Sequence, residues 1–234
     1  MRLKAGDKSI CETELLDGRS RGTQNIYSDS YANISVGTPA QTFLVYVDFF
    51  GYGSLILIDS KGNSNTDSSE SGKDSAVKNT FNTSDSSTFT DPNYNFTSWF
   101  GDGHVANDTL ALSGTLKSKV EFGLLDSKEY FLSRYSYDGY LGLAPPSITQ
   151  SVSSDLTSVL DQLADVLDEP VITIWTNNTR YGNGSSVVTI GAIDSEHCES
   201  NWIHTPQNSK KYYPYTFHVS SAEMTINGTN NRFT

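Results

Sequence analysis

Asp48 closes the apolar run Leu44-Val45-Tyr46-Val47 and opens a glycine-bearing turn, Phe49-Phe50-Gly51-Tyr52-Gly53. Beyond it, Ser54 leads into a second apolar run, Leu55-Ile56-Leu57-Ile58. A carboxylate at the end of a buried strand costs free energy unless hydrogen bonds or an opposite charge support it. Strand ends that meet loops are frequent seats of catalysis, and a carboxylate there offers general acid–base chemistry. The plain alternative is an aspartate that caps its own turn. The choice rests on the rest of the chain.

Other chemistries find little support. His104, His197, His204 and His218 lack metal-ligand spacing, and Glu196-His197-Cys198 is too short a cluster to hold an ion, so no metal and no cofactor are expected. Gly51-Tyr52-Gly53 lacks the third glycine and the helix of a dinucleotide site. No serine sits in a Gly-X-Ser-X-Gly elbow. A net charge of −11, with no run of lysines or arginines, argues against nucleic acid as a partner. No apolar stretch approaches the roughly eighteen residues of a membrane-spanning helix, so no span is expected. Met1 to Lys8 show no apolar core of a secretory signal. Asn33, Asn82, Asn95, Asn107, Asn177, Asn183 and Asn227 each open an Asn-X-Ser/Thr triplet, a modest pointer to glycosylation and a secreted lineage. The pairing of Cys11 and Cys198 does not follow from their positions.

The elements that must position Asp48 are strands. Hydrophobic residues make up 36% of the 234 residues, enough for a packed core. Tyr31 to Val36 and Thr42 to Val47 alternate about a Gly37-Thr38-Pro39-Ala40 turn, a hairpin signal because glycine permits unusual dihedrals and proline fixes φ. Ser60 to Thr80 reads as a solvated loop. Asn95 to Phe100 and His104 to Leu112 read as a hairpin with Gly101-Asp102-Gly103 at its tip. Lys119 to Leu125, Gly139 to Leu143, Val171 to Trp175, Ser186 to Gly191 and an alternating Tyr213 to Val219 add strands. One helix is expected from Leu156 to Leu167, capped by Ser153 or Ser154 and stopped by Pro170. Many short strands with one helix predict a mostly-β chain.

The series Tyr31-Ala32-Asn33-Ile34-Ser35-Val36-Gly37-Thr38-Pro39-Ala40-Gln41, Asp48, Ser86-Ser87-Thr88-Phe89, Trp99-Phe100-Gly101-Asp102-Gly103 and Tyr137-Asp138-Gly139-Tyr140-Leu141-Gly142-Leu143-Ala144-Pro145 resembles the first lobe of pepsin-like aspartic peptidases. Gly191-Ala192-Ile193-Asp194, Asn201-Trp202-Ile203 and Met224-Thr225-Ile226-Asn227-Gly228 resemble the opening of that family's second lobe. The resemblance implies a β-barrel lobe with a few short helices and an incomplete second lobe. It divides the chain into a polar segment over 1–26, a first lobe over 27–176 and the start of a second over 177–234. It also implies a peptide or protein in a cleft between lobes, and a secreted or lysosomal location. Two carboxylates, one from each lobe, would share a proton and activate a water against the peptide bond. Asp48 takes the place of the first of them. Phe100 takes that of a tyrosine on a covering hairpin, with Gly101, Asp102 and Gly103 at its tip. Gly139-Tyr140-Leu141-Gly142 takes that of a segment packed on the catalytic loop.

Several residues depart from that pattern. The family's loop reads Asp-Thr/Ser-Gly, and here Phe49 and Phe50 follow Asp48. Phe49 cannot supply the hydroxyl, and a glycine role for Gly51 requires inserted residues. Ser54 is a candidate hydroxyl for Asp48 only in a rearranged loop. Phe100 lacks the phenol, for which the neighbouring Trp99 indole is a candidate substitute. Thr234 arrives before a second Asp-Thr/Ser-Gly. The expectation is therefore a peptidase-like chain that binds peptide but does not hydrolyse it as it stands. The alternative is an active acid endopeptidase read from an incomplete chain.

Overall fold

The computed structural model describes residues 11–18, 29–49, 51, 53–63, 78–113, 116–127, 137–144, 156–176, 186–199, 201–206, 220–226 and 229–233. Phe50, Tyr52, the Tyr213–Val219 segment, Asn177, Asn183 and Asn227 lie outside them.

Twelve strands are described: β1 (Cys11–Gly18), β2 (Asp29–Val36), β3 (Gln41–Asp48), β4 (Leu55–Asn63), β5 (Asn95–Ser98), β6 (Gly101–Leu112), β7 (Leu116–Ser127), β8 (Gly139–Gly142), β9 (Ile172–Thr176), β10 (Ser186–Ile190), β11 (Ala222–Ile226) and β12 (Thr229–Phe233). The fold is mostly β, as the sequence predicts. Ten strands run in the order β5-β6-β7-β4-β8-β3-β2-β1-β10-β9, and a further pairing of β6 with β2 closes six of them, β6-β7-β4-β8-β3-β2, into a barrel. Closure leaves those six without free edges, which removes a route to aggregation. β1 docks between β2 and β10, so part of the polar N-terminal segment is ordered as a strand. β9 and β10 form a hairpin across position 177, and β11 pairs with β12.

The barrel interior follows from alternation. Phe43, Val45 and Val47 of β3 point inward with Ile34 and Val36 of β2, Leu55 and Leu57 of β4, Leu110 and Leu112 of β6 and Phe122 and Leu124 of β7. A second apolar cluster lies on the other side of the sheet and holds Tyr31, Ile56, Ile58, Phe96, Phe100, Val105, Leu125, Tyr137 and Leu156. Tyr46 and Tyr140 pack against it. β-branched and aromatic residues dominate the second cluster, as pleated, buried surfaces favour, while leucines share the main core with them about equally.

Three sequence expectations shift. The helix is shorter than its periodicity suggests: α1 spans Val159–Leu163 and continues as a 3-10 turn over Ala164–Val166. It starts at Ser158, in extended conformation, because Val159 N–H donates to the Gly53 carbonyl at 2.7 Å. The residue before it is pinned too: the Glu121 carboxylate accepts from the Thr157 N–H and hydroxyl, both at 3.0 Å. The predicted apolar positions still face the core, with Leu156, Val159, Leu163 and Leu167 buried. Ser60 to Asn63 belong to β4 rather than to a loop, and Lys78 is buried. Finally, Ser98 pairs with Gly101, so the tip of the β5–β6 hairpin is Trp99-Phe100, and Gly101-Asp102-Gly103 belong to β6.

Candidate functional site

Asp48 sits where three segments meet. β3 runs parallel to β8, with Asp48 opposite Gly142. β4, which leaves the loop after Asp48, pairs antiparallel with the same β8. The β8 segment is thus threaded between the two strands that flank the loop. Leu143 N–H donates to the Asp48 carbonyl at 2.7 Å, and Gly142 N–H to that of Ser54 at 3.0 Å. The expected packing of Gly139-Tyr140-Leu141-Gly142 on the loop is present in this form.

The Asp48 side chain is 7% exposed. Its Oδ2 accepts from Gly51 N–H at 2.9 Å. Gly51, three residues on, thus brings its N–H to the carboxylate. A Cβ on Gly51 would stand 2.9 Å from that same oxygen, so the approach depends on glycine. The turn-capping role open to a strand-end aspartate is real. Phe49 packs its ring against the main core.

Ser54 does not support the carboxylate. Its hydroxyl donates to the Thr157 carbonyl at 3.2 Å and reaches that of Leu156 at 3.5 Å. With the bond from Val159 to Gly53, it fastens the exit of the Asp48 loop to the start of α1.

Another donor to Asp48 is the Tyr140 phenol, which is hydrogen-bonded to the carboxylate. Burial pushes this phenol well above its ordinary range, and the nearby charge of Asp48 adds to the shift. Tyr140 thus stays protonated and remains a donor. Its ring lies 5.0 Å from Tyr46 and 4.7 Å from Phe100. Tyr137 lies 5.6 Å from Tyr46 and 5.8 Å from Tyr31, so an aromatic cluster lines the face beside the carboxylate. Lys78 donates to the Tyr137 carbonyl, and its ammonium lies 5.2 Å from the Tyr137 ring centroid, a cation–π arrangement.

The hairpin tip divides its two aromatics. Phe100 is 1% exposed and packs on Tyr140, whereas Trp99 is 79% exposed. Trp99 therefore stands in solvent, and its indole does not replace a phenol against the buried Asp48. The Ser98 hydroxyl ties the turn, donating to the Gly101 carbonyl at 3.0 Å and accepting from Phe100 N–H at 3.1 Å. Gly101 leaves the turn at φ +127°, a conformation that favours glycine. Asp102 is exposed on β6 and pairs with Thr97, while Gly103 lies under the Leu124 carbonyl, where a Cβ would not fit.

Elsewhere, His104 bridges Asp126, at 2.9 Å from Nδ1, and Asp59, at 3.5 Å from Nε2. Among the described residues no group of three or more His, Cys, Asp or Glu is placed to hold a metal ion. No helix among them is long and apolar enough to cross a membrane. Of the sequon asparagines, Asn33 and Asn95 are exposed and Asn107 is half-buried in β6. The Asn82 amide nitrogen donates to Asp85 at 2.8 Å.

Sequence comparison draws the same outline. The model of the eukaryotic aspartyl protease family matches residues 29–233. The chain belongs to this family. Among its relatives, Aspartic protease 17 of Caenorhabditis elegans is 27% identical over 199 residues, covering 81% of this chain and 50% of that protein. Pepsin A of Bos taurus is 29% identical over 236 residues, 95% of this chain and 57% of the other. The probable vacuolar protease A of Arthroderma benhamiae is 26% identical, over 84% and 50% respectively. The chain spans about half the length of these relatives.

Sequence reasoning placed Asp48 and the hairpin but missed the Tyr140 phenol, Lys78 and the Ser54 clamp. A signal for Tyr140 was available. It stands two residues before Gly142, and alternate residues of a strand share a face.

Proposed function

We propose that this chain is a pepsin-like aspartic peptidase homologue that holds peptide beneath the β5–β6 hairpin without hydrolysing it. The observation that carries the reading is the state of Asp48. Its carboxylate is engaged by the chain's own Gly51 N–H and Tyr140 hydroxyl, and Phe49 occupies the position where the family's pattern has a hydroxyl residue. Water activation needs an acceptor open to the water and a second, protonated carboxyl beside it. The Tyr140 phenol competes with such a water for the acceptor positions on its side of the carboxylate.

Peptide binding is supported by the hairpin's position, with Phe100 reaching the face that carries Asp48 and Trp99 free to meet a ligand. The division into a first lobe over 27–176 and the start of a second over 177–234 belongs to the same reading, with the ligand lying between lobes. Pepsins and a vacuolar protease among the relatives favour a secreted or lysosomal location. Exposed Asn33 and Asn95 suit glycosylation there.

A second reading is an active acid endopeptidase. The names of the relatives, Pepsin A and aspartic proteases, favour it, as does the retained glycine N–H on Asp48. Peptide binding is tested by titrating an unstructured peptide library into isotope-labelled protein. Shifts of the amide signals of Ser98 to Gly103 and of Gly51 are expected, weakened by Trp99→Ala. No shift at any of these signals would overturn the binding reading.

A further inference from the structure

The Asp48 carboxylate and the Tyr140 ring share one side of the sheet. Tyr46 lies opposite Tyr140 in the parallel β3–β8 pair, and Asp48, two residues after Tyr46, lies opposite Gly142. Residues two apart on a strand face the same way, so Tyr46, Asp48 and Tyr140 stand together. The Tyr140 ring is held between Tyr46 at 5.0 Å and Phe100 at 4.7 Å, with Tyr137 6.5 Å away. The rings on either side, Tyr46 and Phe100, hold the partly buried Tyr140 beside Asp48. Gly51 N–H engages the carboxylate from the loop side. Any water or ligand group that seeks the acceptor positions on this face of Asp48 must compete with the phenol.

We propose that Tyr140 is a built-in hydrogen-bond donor to Asp48, a positioning residue that keeps the carboxylate occupied and limits the cleft to peptides that bring no donor of their own to it. The proposal rests on reading the cleft as a peptide site. It gives Tyr140 a specificity role: the hydroxyl, rather than the ring, decides whether a hydroxyl-bearing backbone is accepted. Burial and the charge of Asp48 keep the phenol protonated well above its ordinary range, so it remains a donor at neutral pH.

Two peptides provide the test, identical except that one carries a secondary hydroxyl at its central backbone position and the other a methylene. Calorimetric titration into the parent should find equal affinities within about twofold. Tyr140→Phe, which keeps the ring, should prefer the hydroxyl peptide by about tenfold, the value of one hydrogen bond to a charged acceptor. Adding Asp48→Ala to Tyr140→Phe should abolish that preference. A parent that already prefers the hydroxyl peptide tenfold, or a Tyr140→Phe variant with no preference, overturns the proposal. If neither peptide binds any variant, the cleft reading fails. The Tyr140 contact is then judged by proton NMR. A slowly exchanging hydroxyl signal, lost in Tyr140→Phe and exchanging faster in Asp48→Ala, supports it, and exchange unchanged by Asp48→Ala overturns it.

Discussion

Replacing Asp48 by alanine should destabilise this protein, and the size of the loss discriminates between a carboxylate that serves the fold and one held open for chemistry. The side chain is 7% exposed and accepts from Gly51 N–H at 2.9 Å and from the Tyr140 phenol. Hydrogen bonds to a charged group are worth about 1.5–3 kcal/mol each, and deleting the acceptor leaves two partly buried donors without it. Removing a buried charge returns part of its desolvation cost, so a net loss of about 2–4 kcal/mol is expected for Asp48→Ala. Asp48→Asn keeps one acceptor oxygen and should lose about half as much. The ladder contacts are backbone ones and survive both changes, including Leu143 N–H on the Asp48 carbonyl. Urea unfolding near neutral pH measures this, with an unchanged slope showing that the unfolded state is unaltered. A carboxylate kept under-bonded for catalysis behaves oppositely, since activity commonly costs stability and its removal is then neutral or favourable. An Asp48→Ala protein as stable as the parent, within about 0.5 kcal/mol, would refute the reasoning.

Three further outcomes follow from the same geometry. The Tyr140 phenol is raised in the folded state, so its contribution is complete below the unfolded value of about 10 and fades as pH climbs above it. Tyr140→Phe should therefore flatten the alkaline limb of the stability profile, and an unchanged limb would contradict the contact. Burial alone would raise the Asp194 carboxyl, but hydrogen bonds from the backbone and ring of His197, and from Glu196 N–H, outweigh it and hold the group below its ordinary value. That stability is present above an unfolded value of about 3.9 and lost as pH falls through the folded one, so Asp194→Asn should narrow the gap between melting temperatures at neutral and strongly acid pH. Phe100→Ala empties a fully buried site and should cost about 3 kcal/mol, with faster amide exchange across β5 and β6 if the hairpin tip is held by that ring.

Alternation along the chain made most of the barrel legible. Phe43, Val45 and Val47 announce their face two by two, and the structure puts all three in one core. Local patterns do not say which distant backbone group a residue will meet, and that is where the reading failed. The helix begins at Val159 instead of near Ser153 because a carbonyl about a hundred residues earlier, that of Gly53, claims its N–H. The glycines at 101 and 103 suggested a hairpin tip, yet the turn is tied at Ser98 and Gly103 is needed where β6 passes Leu124. Ser54 was a reasonable candidate beside Asp48 from its place in the loop, but its hydroxyl finds the carbonyls ahead of α1. Lys78 sat in a polar run and is buried because the ring and carbonyl of Tyr137, from a distant segment, receive its ammonium. The Asp48 loop itself was half legible. Phe49 excluded the hydroxyl, while the phenol that engages the carboxylate comes from β8.

The central claim is that the fold persists and Asp48 does not hydrolyse peptides. A cleavage assay with the chain in excess over a denatured protein, at about pH 4 where a carboxyl pair shares one proton, tests it most directly. Fragments are read by mass spectrometry for the parent and for Asp48→Ala side by side. The same absence of specific fragments is expected in both. Fragments made by the parent and abolished by Asp48→Ala would contradict it.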